Sequence, residues 1–551
     1  MITKQAITAF IKQYTYTCVF VFFVVLAFVI YYPAHNSLLI DDGMAGLVEF
    51  KKQGYSGWID SFQFPSLYYM HDFFVLLIYC IGGKNSFVWF LAMLSLHCLN
   101  AALSFRFFNM LFVLFNVRKP LLISFTGALL FLLSPYQTEN VVWAATLHYN
   151  IAMAILLYTC ILLLQLLPST IIHFKHVALI CLLHVVAITT IELSLFFPAV
   201  YSLLAVLLLL TAHYRTSVVQ FVLRIVLPLS LITIFYFAAT LILKGNLIPH
   251  YGDTHLQNFS FAYYIPNIAK HTVKLLTLVH FAPYQYRESI YAWCEHWKTV
   301  ALGLSIVTTL AAFILWRQYG KKGVLLFLAM CAMAFVVLFP ALNMYFMFLF
   351  TPENDRLSYF YSLFLYQILS FVLVSTSLYV GMAILIALFG IGIFFLHTQV
   401  TKWHQAGTLH NNLIESFTWF NAPQVYVLNA PANYNGVYQF RNDKRLPWAI
   451  HFFKDENMVG RITSVMSGAY ASLHDSTQVS ILNDSTLQVD FTSNGGWLMH
   501  ERVGASNYST PEYSVTVDPW KPSYQVVFHN KRKDAAYIYA TDNVFKKLEG
   551  F

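Results

Sequence analysis

The chain has 551 residues, of which 58% are hydrophobic and 11% are charged, and its formal net charge is +8 at pH 7. Soluble globular proteins carry about 25% charged residues, so this composition excludes a soluble globular protein. It indicates a polytopic α-helical membrane protein, and no nucleic acid is expected as a partner.

The first 400 residues contain about eleven apolar runs that predict membrane spans, although several are short for a bilayer that needs about 20 residues. The first run follows Lys4 and Lys12 but has no small-residue cleavage site, which indicates a retained signal anchor. The runs are residues 17–32, 87–107, 121–133, 151–167, 177–190, 195–210, 225–243, 300–316, 323–339, 357–374 and 378–397.

Lysine and arginine between the runs set the orientation, because positively charged loops stay in the cytoplasm. With the N-terminus inside, the basic clusters between spans all lie on the cytoplasmic side, as at Arg118 and Lys119. The external segments are then the loops 33–86, 134–150 and 244–298 and the tail from about residue 401. Within the first loop, the apolar stretch 67–81 is predicted to be a helix lying in the membrane interface.

The chain changes character near residue 401, which divides it into a membrane domain, 1–400, and an extracytoplasmic domain, 401–551. Six stretches of the tail alternate apolar and polar residues between turn-forming residues, as strands of a β or α+β domain do. Only Cys294 lies in a clearly external loop and the tail has no cysteine, so no disulfide framework or zinc site is predicted. The absence of a disulfide framework from the tail suits a multi-pass bacterial inner-membrane protein with a periplasmic active face. The six strand-like stretches of the tail are 424–428, 478–482, 486–491, 514–517, 524–528 and 536–540.

Two adjacent carboxylates, Asp41 and Asp42, follow directly on the first apolar run. Charged side chains strongly prefer bulk water, so two of them beside a membrane surface indicate a function. This makes them the first catalytic candidates. The structural alternative is a solvated loop end or a cap on a helix that begins at Gly43.

Further polar side chains fall in the external segments and are expected to converge on one cavity at this membrane face. A carboxylate there would take a proton from an attacking hydroxyl, and a guanidinium would hold a phosphate with two parallel hydrogen bonds. The alternatives are ion pairs that serve packing, a lipid-headgroup anchor for the arginine before span 10, and core histidines. The candidates are His71, Glu139, Asn140, His148, Glu192, Arg287, Glu288, Asp355 and Arg356.

Five segments between residues 36 and 362 carry a resemblance to a known superfamily. They are Leu39-Ile40-Asp41-Asp42, then 94–100 with His97 and Asn100, then 134–143 with Pro135, Glu139 and Trp143, then Glu192 with Pro198, and finally 339–343 with Asp355-Arg356-Leu357-Ser358-Tyr359. In this order they resemble the glycosyltransferase C superfamily, most closely the multispanning O-mannosyltransferases that in animals carry tetratricopeptide repeats. Here Gln137, Ile191 and Asp355 replace the histidine, lysine and glutamate of those motifs, and no tetratricopeptide repeats follow.

The resemblance implies a GT-C-like fold and transfer of a sugar from a polyprenyl-phosphate donor to an extracytoplasmic acceptor, a protein hydroxyl, a glycan or a lipid. Asp42 or Asp41 would be the general base of an inverting attack. Arg356, with Arg287 second, would stabilise the departing phosphate. The donor pocket would be shaped by Glu139, Glu192 and His148, and the isoprenoid tail would lie between spans and the stretch 67–81.

Two other functions are compatible with a polytopic chain. A transporter or flippase would use the tail as a binding domain, but it would place ionisable groups near the bilayer midplane and show related halves. A bundle that only anchors a surface domain would leave Asp41, Asp42 and Arg356 without a role. No Walker sequence, serine elbow or close metal-ligand spacing occurs in the chain. The sequence leaves open the sugar and whether a divalent metal assists the carboxylates.

Overall fold

The structure is a computed structural model, and it describes most of the chain. The described residues are 4–60, 67–167, 172–211, 218–245, 260–343, 352–417, 422–441, 444–455, 458, 460–492, 496–500 and 503–551. Sixteen helices form the membrane domain and a small α+β domain follows them.

Several of the described connections between the helices of the membrane domain are short 3-10 turns. The helices are α1 (Lys4–Tyr31), α2 (Asp42–Asp60), α3 (Tyr69–Gly82), α4 (Ser86–Leu114), α5 (Pro120–Leu132), α6 (Thr138–Val142), α7 (Leu147–Leu166), α8 (Phe174–Ile188), α9 (Phe197–Leu210), α10 (Val218–Phe221), α11 (Leu227–Lys244), α12 (Phe261–Thr277), α13 (Tyr284–Cys294), α14 (Trp297–Leu338), α15 (Tyr359–Thr376) and α16 (Leu378–Ser416).

Among the described residues, eight helical segments are long and apolar enough to cross a membrane, or nine if α5 and α6 form one bent span. The predicted count of about eleven differs because two predicted spans lie in α14, which breaks at Gly320, and because α8 has only 15 residues. Gly320 has φ +62°, a conformation that glycine adopts without a steric penalty. All eleven predicted apolar runs are helical, which confirms a polytopic α-helical membrane protein.

Two predicted external segments contain helices of their own. The first loop holds α2 and α3, and α3 is a short apolar helix where the interface helix was predicted. The loop 244–298 holds α12, whose buried face includes the polar residues Asn267, His271 and Lys274. At the other end of the domain, α16 continues past residue 401 to Ser416, so the strand-rich part begins only at Gln424.

The described part of the C-terminal domain contains two sheets and one helix, α17 (Arg445–Lys454). All six strand stretches predicted from alternation lie in strands, which confirms the β-containing tail. The strands are β1 (Gln424–Tyr434), β2 (Val437–Tyr438), β3 (Ile462–Ser464), β4 (Ser467–Tyr470), β5 (Ser476–Asn483), β6 (Thr486–Thr492), β7 (Trp497–His500), β8 (Val503–Gly504), β9 (Tyr508–Ser509), β10 (Tyr513–Val517), β11 (Ser523–Phe528), β12 (Ala535–Thr541) and β13 (Val544–Lys547).

The larger sheet has the order β13-β12-β1-β4-β7-β8, with β2 and β3 also pairing with β1, and the smaller has the order β5-β6-β11-β10-β9. The long central strand β1 runs parallel to β12, β3 and β4 and is buried along nearly all its length. In β11, by contrast, buried and exposed residues alternate, because only one face of the smaller sheet packs on the core. The apolar residues of both sheets are continuous with the core of the membrane domain.

The C-terminal domain docks onto the first external loop. Arg441 and Arg445 contact Asp41 and Asp42 at the start of α2, and Asp455 contacts Lys51 on the same helix. The first loop and the tail therefore lie on the same side of the membrane, as the sequence predicts.

Candidate functional site

The first two aspartates sit in a tight turn between α1 and α2. The Gly43 amide donates to the Ile40 carbonyl at 2.9 Å, and Asp41 has φ +46°. Aspartate is one of the few non-glycine residues that adopt this region at moderate cost. A Cβ at position 43 would collide with the Leu38 carbonyl oxygen, so the turn also needs its glycine. The backbone thus holds both carboxylates at one fixed place.

The loop around Trp143 braces this turn from the membrane domain. The Trp143 indole Nε1 donates to the Ile40 carbonyl at 2.9 Å, and the Ala144 amide donates to the Leu38 carbonyl at 3.0 Å. The Ser37 hydroxyl donates to the Val142 carbonyl at 3.0 Å. Two of the resembling segments, the one with Asp41 and Asp42 and the one with Trp143, are therefore joined directly.

Two arginines of the C-terminal domain bind both aspartates. Arg441 Nε lies 2.8 Å from Asp41 Oδ2 and Arg445 Nε lies 3.1 Å from Asp41 Oδ1, while the Nη2 atoms of both arginines contact Asp42. The Asp41 side chain is fully buried, whereas that of Asp42 is 32% exposed. Burial lowers the pKa of Arg445, and the Asp41 carboxylate counteracts this shift. Of the two aspartates, Asp42 is the one that solvent reaches.

Glu139 and Arg356 form a partly buried ion pair, in which the Glu139 side chain is 2% exposed and that of Arg356 is 19% exposed. Arg356 Nη1 contacts Glu139 Oε1, and the Arg356 backbone amide donates to Oε2 at 2.9 Å. The guanidinium carbon of Arg356 lies 5.4 Å from the centre of the Trp143 ring, within the range of a cation–π interaction. The sequence predicts that Glu139 and Arg356 share a cavity with the two aspartates. In the structure Trp143 connects them, because its ring contacts Arg356 and its Nε1–H donates to the carbonyl of the residue before Asp41.

Asp355 belongs to a second ion pair beside the first. Its Oδ1 lies 2.5 Å from Lys274 Nζ and 3.6 Å from His280 Nδ1, and all three side chains are at most 5% exposed. Lys274 Nζ also lies 5.2 Å from the centre of the Tyr136 ring. Burial, followed by the nearby Asp355 carboxylate, raises the pKa of Tyr291 above its usual range.

Arg287 lies on α13, one helical turn before Tyr291, so both side chains project from the same face of that helix. The positive charge of Arg287 lowers the pKa of Tyr291, whereas the negative charge of Asp355 raises it. Arg287 therefore belongs to the neighbourhood of the Lys274–Asp355 pair, while Glu288 is exposed on the same helix.

A buried polar network lies under the two ion pairs and contains residues of the second and fifth resembling segments. The Tyr359 hydroxyl lies 3.0 Å from His97 Nδ1, accepts from Asn100 Nδ2 at 3.0 Å and donates to Asn150 Oδ1 at 2.6 Å. Asn150 Nδ2 donates to the Asn140 carbonyl at 2.7 Å. Tyr359 thereby joins α4, α7 and α15, and Asn140 enters the network through its backbone.

His71 and His148 lie together at the starts of α3 and α7. Their ring centroids are 5.0 Å apart, and His71 Nδ1 lies 3.1 Å from Asp72 Oδ1. His148 follows Thr146, whose hydroxyl donates to the Glu139 carbonyl at 3.2 Å. Glu192 is buried at the start of the turn that precedes α9. In the described part of the chain, no three His, Cys, Asp or Glu side chains are grouped so that they could hold a metal ion.

An apolar crevice opens between α5, α12, α15 and α16. Its walls include Leu275 and Pro135, which immediately follow Lys274 and precede Tyr136 in the chain. The Tyr366 and Ser134 hydroxyls, 2.9 Å apart, lie in the same wall. The crevice wall therefore adjoins Lys274 and Tyr136 along the chain.

Four basic groups at this site are absent from the candidates predicted from the sequence. Arg441 and Arg445 lie four residues apart in a short basic segment of the tail. This clustering of positive charge is the sequence feature that could have indicated an anion-binding role. Lys274 and His280 lie in a segment that was predicted only as an external loop. There the buried polar residues of α12 recur at helical spacing, at 264, 267, 271 and 274.

No protein-family model and no curated protein matches the chain. Among solved structures, it is similar to ArnT from Cupriavidus metallidurans in the apo state, with 13% sequence identity and a TM-score of 0.36. The match covers 82% of this chain and 92% of that one. At this identity and TM-score, the likeness assigns no activity to the chain.

Proposed function

We propose that the protein is an integral membrane glycosyltransferase of the GT-C type that transfers a sugar from a polyprenyl-phosphate donor to an extracytoplasmic acceptor. The observation that carries the proposal is the contact, through Trp143, between the Asp41–Asp42 turn and the Glu139–Arg356 pair. A candidate base and a candidate phosphate-binding cation are thus neighbours on the side of the membrane where the tail lies.

Asp42 is the proposed base, because it is the more exposed of the two aspartates. The acceptor oxygen would bond to the anomeric carbon, the bond from that carbon to the phosphate oxygen would break, and the acceptor proton would pass to the carboxylate. Attack opposite to the phosphate inverts the configuration. Asp41 is fully buried and would instead position its neighbour.

Arg356 is the proposed partner of the departing phosphate, with Arg287 beside it. The leaving lipid phosphate gains negative charge in the transition state, and a fixed cation lowers the barrier. Glu139 would hold Arg356 in place, while His71, His148 and Glu192 would border the donor sugar. A divalent metal stays an open part of the proposal.

The crevice beside Lys274 supports a lipid-linked donor. It is lined mostly by leucines and lies between helices, so its surface is apolar as that of an isoprenoid site would be, and the helices would have to separate for the isoprenoid chain to enter, because the enclosed space is small. From the sequence, the isoprenoid chain is expected between the spans and the stretch 67–81, so the crevice is a second location for it. A bacterial inner membrane with the site on the periplasmic side is part of the proposal.

Transfer by the purified full-length protein in proteoliposomes tests this function, with a panel of polyprenyl-phosphate hexoses beginning with mannose. Asp42→Asn and Arg356→Ala should each lose transfer while remaining folded. The matched controls are Asp534→Asn and Arg532→Ala, which break an exposed ion pair of the tail. Transfer by Asp42→Asn at the wild-type rate would refute the base role.

A flippase or transporter is the second candidate, and the buried Lys274–Asp355 pair favours it, because ionisable groups inside helical bundles often mark transport paths. The same proteoliposomes separate the two functions. Movement of the lipid across the bilayer without any sugar transfer would support the transporter and contradict the enzyme.

A further inference from the structure

Helix α17 of the C-terminal domain is attached to α2 by charge at both of its ends. At its start, Arg441 and Arg445 bind Asp41 and Asp42. At its end, Asp455 contacts Lys51, and Asp455 Oδ2 lies 3.0 Å from Lys84 Nζ.

The lysines also bind the carbonyl end of α17. Lys51 Nζ donates to the carbonyls of His451 at 3.2 Å and Phe452 at 3.3 Å, and Lys84 Nζ donates to that of Phe453 at 3.3 Å. Cations are favourable at a helix C-terminus, where carbonyl groups lack partners within the helix. Lys51 and Lys84 also lower the pKa of Asp455 to about 2, so this contact remains ionised at neutral pH.

At the other end, all four carboxylate oxygens of the aspartates contact a guanidinium. Arg445 reaches the Oδ1 atoms of Asp41 and Asp42, and Arg441 reaches both Oδ2 atoms. Each guanidinium therefore bridges the two carboxylates. In this arrangement neither oxygen of Asp42 is available to take a proton from an acceptor hydroxyl. Solvent reaches part of the Asp42 side chain, but both of its oxygens contact a guanidinium, so an acceptor hydroxyl would have to displace Arg441 or Arg445 to reach either oxygen.

We propose that α17 is a gate that closes the Asp41–Asp42 site in the resting protein and must move away from Asp42 before an acceptor enters. This inference rests on the proposed function, because it takes Asp42 as the base. It gives the C-terminal domain a regulatory role: the tail controls access to the carboxylates.

The far end of α17 offers a test that leaves the site itself unchanged. In a background in which Ser replaces the exposed Cys80, a short thiol-specific cross-linker that a reductant removes would fix α17 on α2 in the double variant Lys51→Cys with Asp455→Cys. Cross-linking should abolish sugar transfer, and reduction should restore it, while either single-cysteine variant treated alike keeps its activity. A cross-linked protein that transfers sugar as fast as the reduced one would overturn the gate and leave the enzyme assignment intact.

Hydrogen exchange on the full-length protein tests the gate without any enzyme assay. Asp455→Asn should speed exchange in both α17 and α2 and leave β1 unchanged, and Asp534→Asn is the matched control. Unchanged exchange in α17 and α2 would overturn the gate. If the two helices open together but no wild-type transfer occurs with any donor, the proposed function fails and the opening motion stands.

Discussion

Arg356 and Trp143 connect the two halves of the candidate site. The guanidinium carbon of Arg356 lies 5.4 Å from the centre of the Trp143 ring, and the Nε1–H of the same ring donates to the Ile40 carbonyl one residue before Asp41. On the side of the tail, the centre of the Tyr438 ring lies 6.0 Å from that of Trp143. The guanidinium carbon of Arg441 lies 4.3 Å from the centre of the same Tyr438 ring. Trp143 thus contacts the bundle, the first loop and the tail.

Trp143→Phe keeps an aromatic ring but removes the donor to the Ile40 carbonyl. The Ile40 carbonyl keeps the Gly43 amide as a donor, so the variant loses one net hydrogen bond, worth about 0.5–1.5 kcal/mol, and we expect a slightly lower melting temperature and slower sugar transfer. Differential scanning fluorimetry and the proteoliposome assay measure the two effects. Trp520→Phe is the control, because Trp520 is 91% exposed. Equal melting temperatures for the two variants would contradict the bracing role of Trp143.

Substitutions in the Glu139–Arg356 pair should affect the stability of the protein and its transfer activity separately. Removing one partner of a fully buried ion pair costs about 3–5 kcal/mol, whereas replacing both with neutral side chains is often tolerated. The Arg356 side chain is 19% exposed, so the cost here should be smaller and the variants should stay folded. Arg356→Met should therefore destabilise the protein, and adding Glu139→Gln should recover much of the melting temperature but none of the transfer. Recovery of transfer in the double variant would show that Arg356 serves packing only.

Within the aspartate turn, the two carboxylates should respond differently to removal of charge. Asn tolerates the positive φ of Asp41, so Asp41→Asn should keep the turn and retain part of the activity. Asp42→Asn should lose transfer, because it removes the proton acceptor. Rates at saturating donor, with melting temperatures for each variant, check this. If both variants lose transfer to the same extent, the role of base cannot be assigned to Asp42 alone.

The sequence predicted those features that depend on local pattern. Alternation located six strands of the tail, and hydropathy located the helices that carry His97 and Tyr359, whereas Glu139 was predicted in the loop 134–150 and lies in α6. It missed contacts made between distant parts of the chain. Arg441 is 400 residues from Asp41, and nothing in a single sequence indicates that a basic segment of one domain binds an acidic turn of another. Lys274 was missed for a local reason, since α12 alternates charged and apolar residues at helical spacing inside a segment predicted as a loop.

Sidedness can be measured directly with introduced cysteines. Both Arg118 and Lys533 are exposed, the first between α4 and α5 and the second in the tail. In a background in which Ser replaces the exposed Cys80, a membrane-impermeant maleimide applied to intact spheroplasts should label Lys533→Cys but not Arg118→Cys. Equal labelling of both positions would contradict the orientation derived from the positive charges.

The crevice can be filled from α16 without touching the charged residues. Gly392 lines it, whereas a Cβ added at Gly390, two residues earlier, would meet no neighbouring side chain within 4 Å, so this position serves as the control. Gly392→Phe would exclude part of an isoprenoid chain, and losing the burial of two methylene groups at ~0.8 kcal/mol each weakens binding roughly tenfold. We therefore expect a higher KM for a long-chain polyprenyl-phosphate sugar, little change for a short-chain analogue, and no change in Gly390→Phe. An unchanged KM for the long-chain donor in a folded Gly392→Phe protein would place the isoprenoid chain elsewhere, with the interface helix α3 as the next location to test.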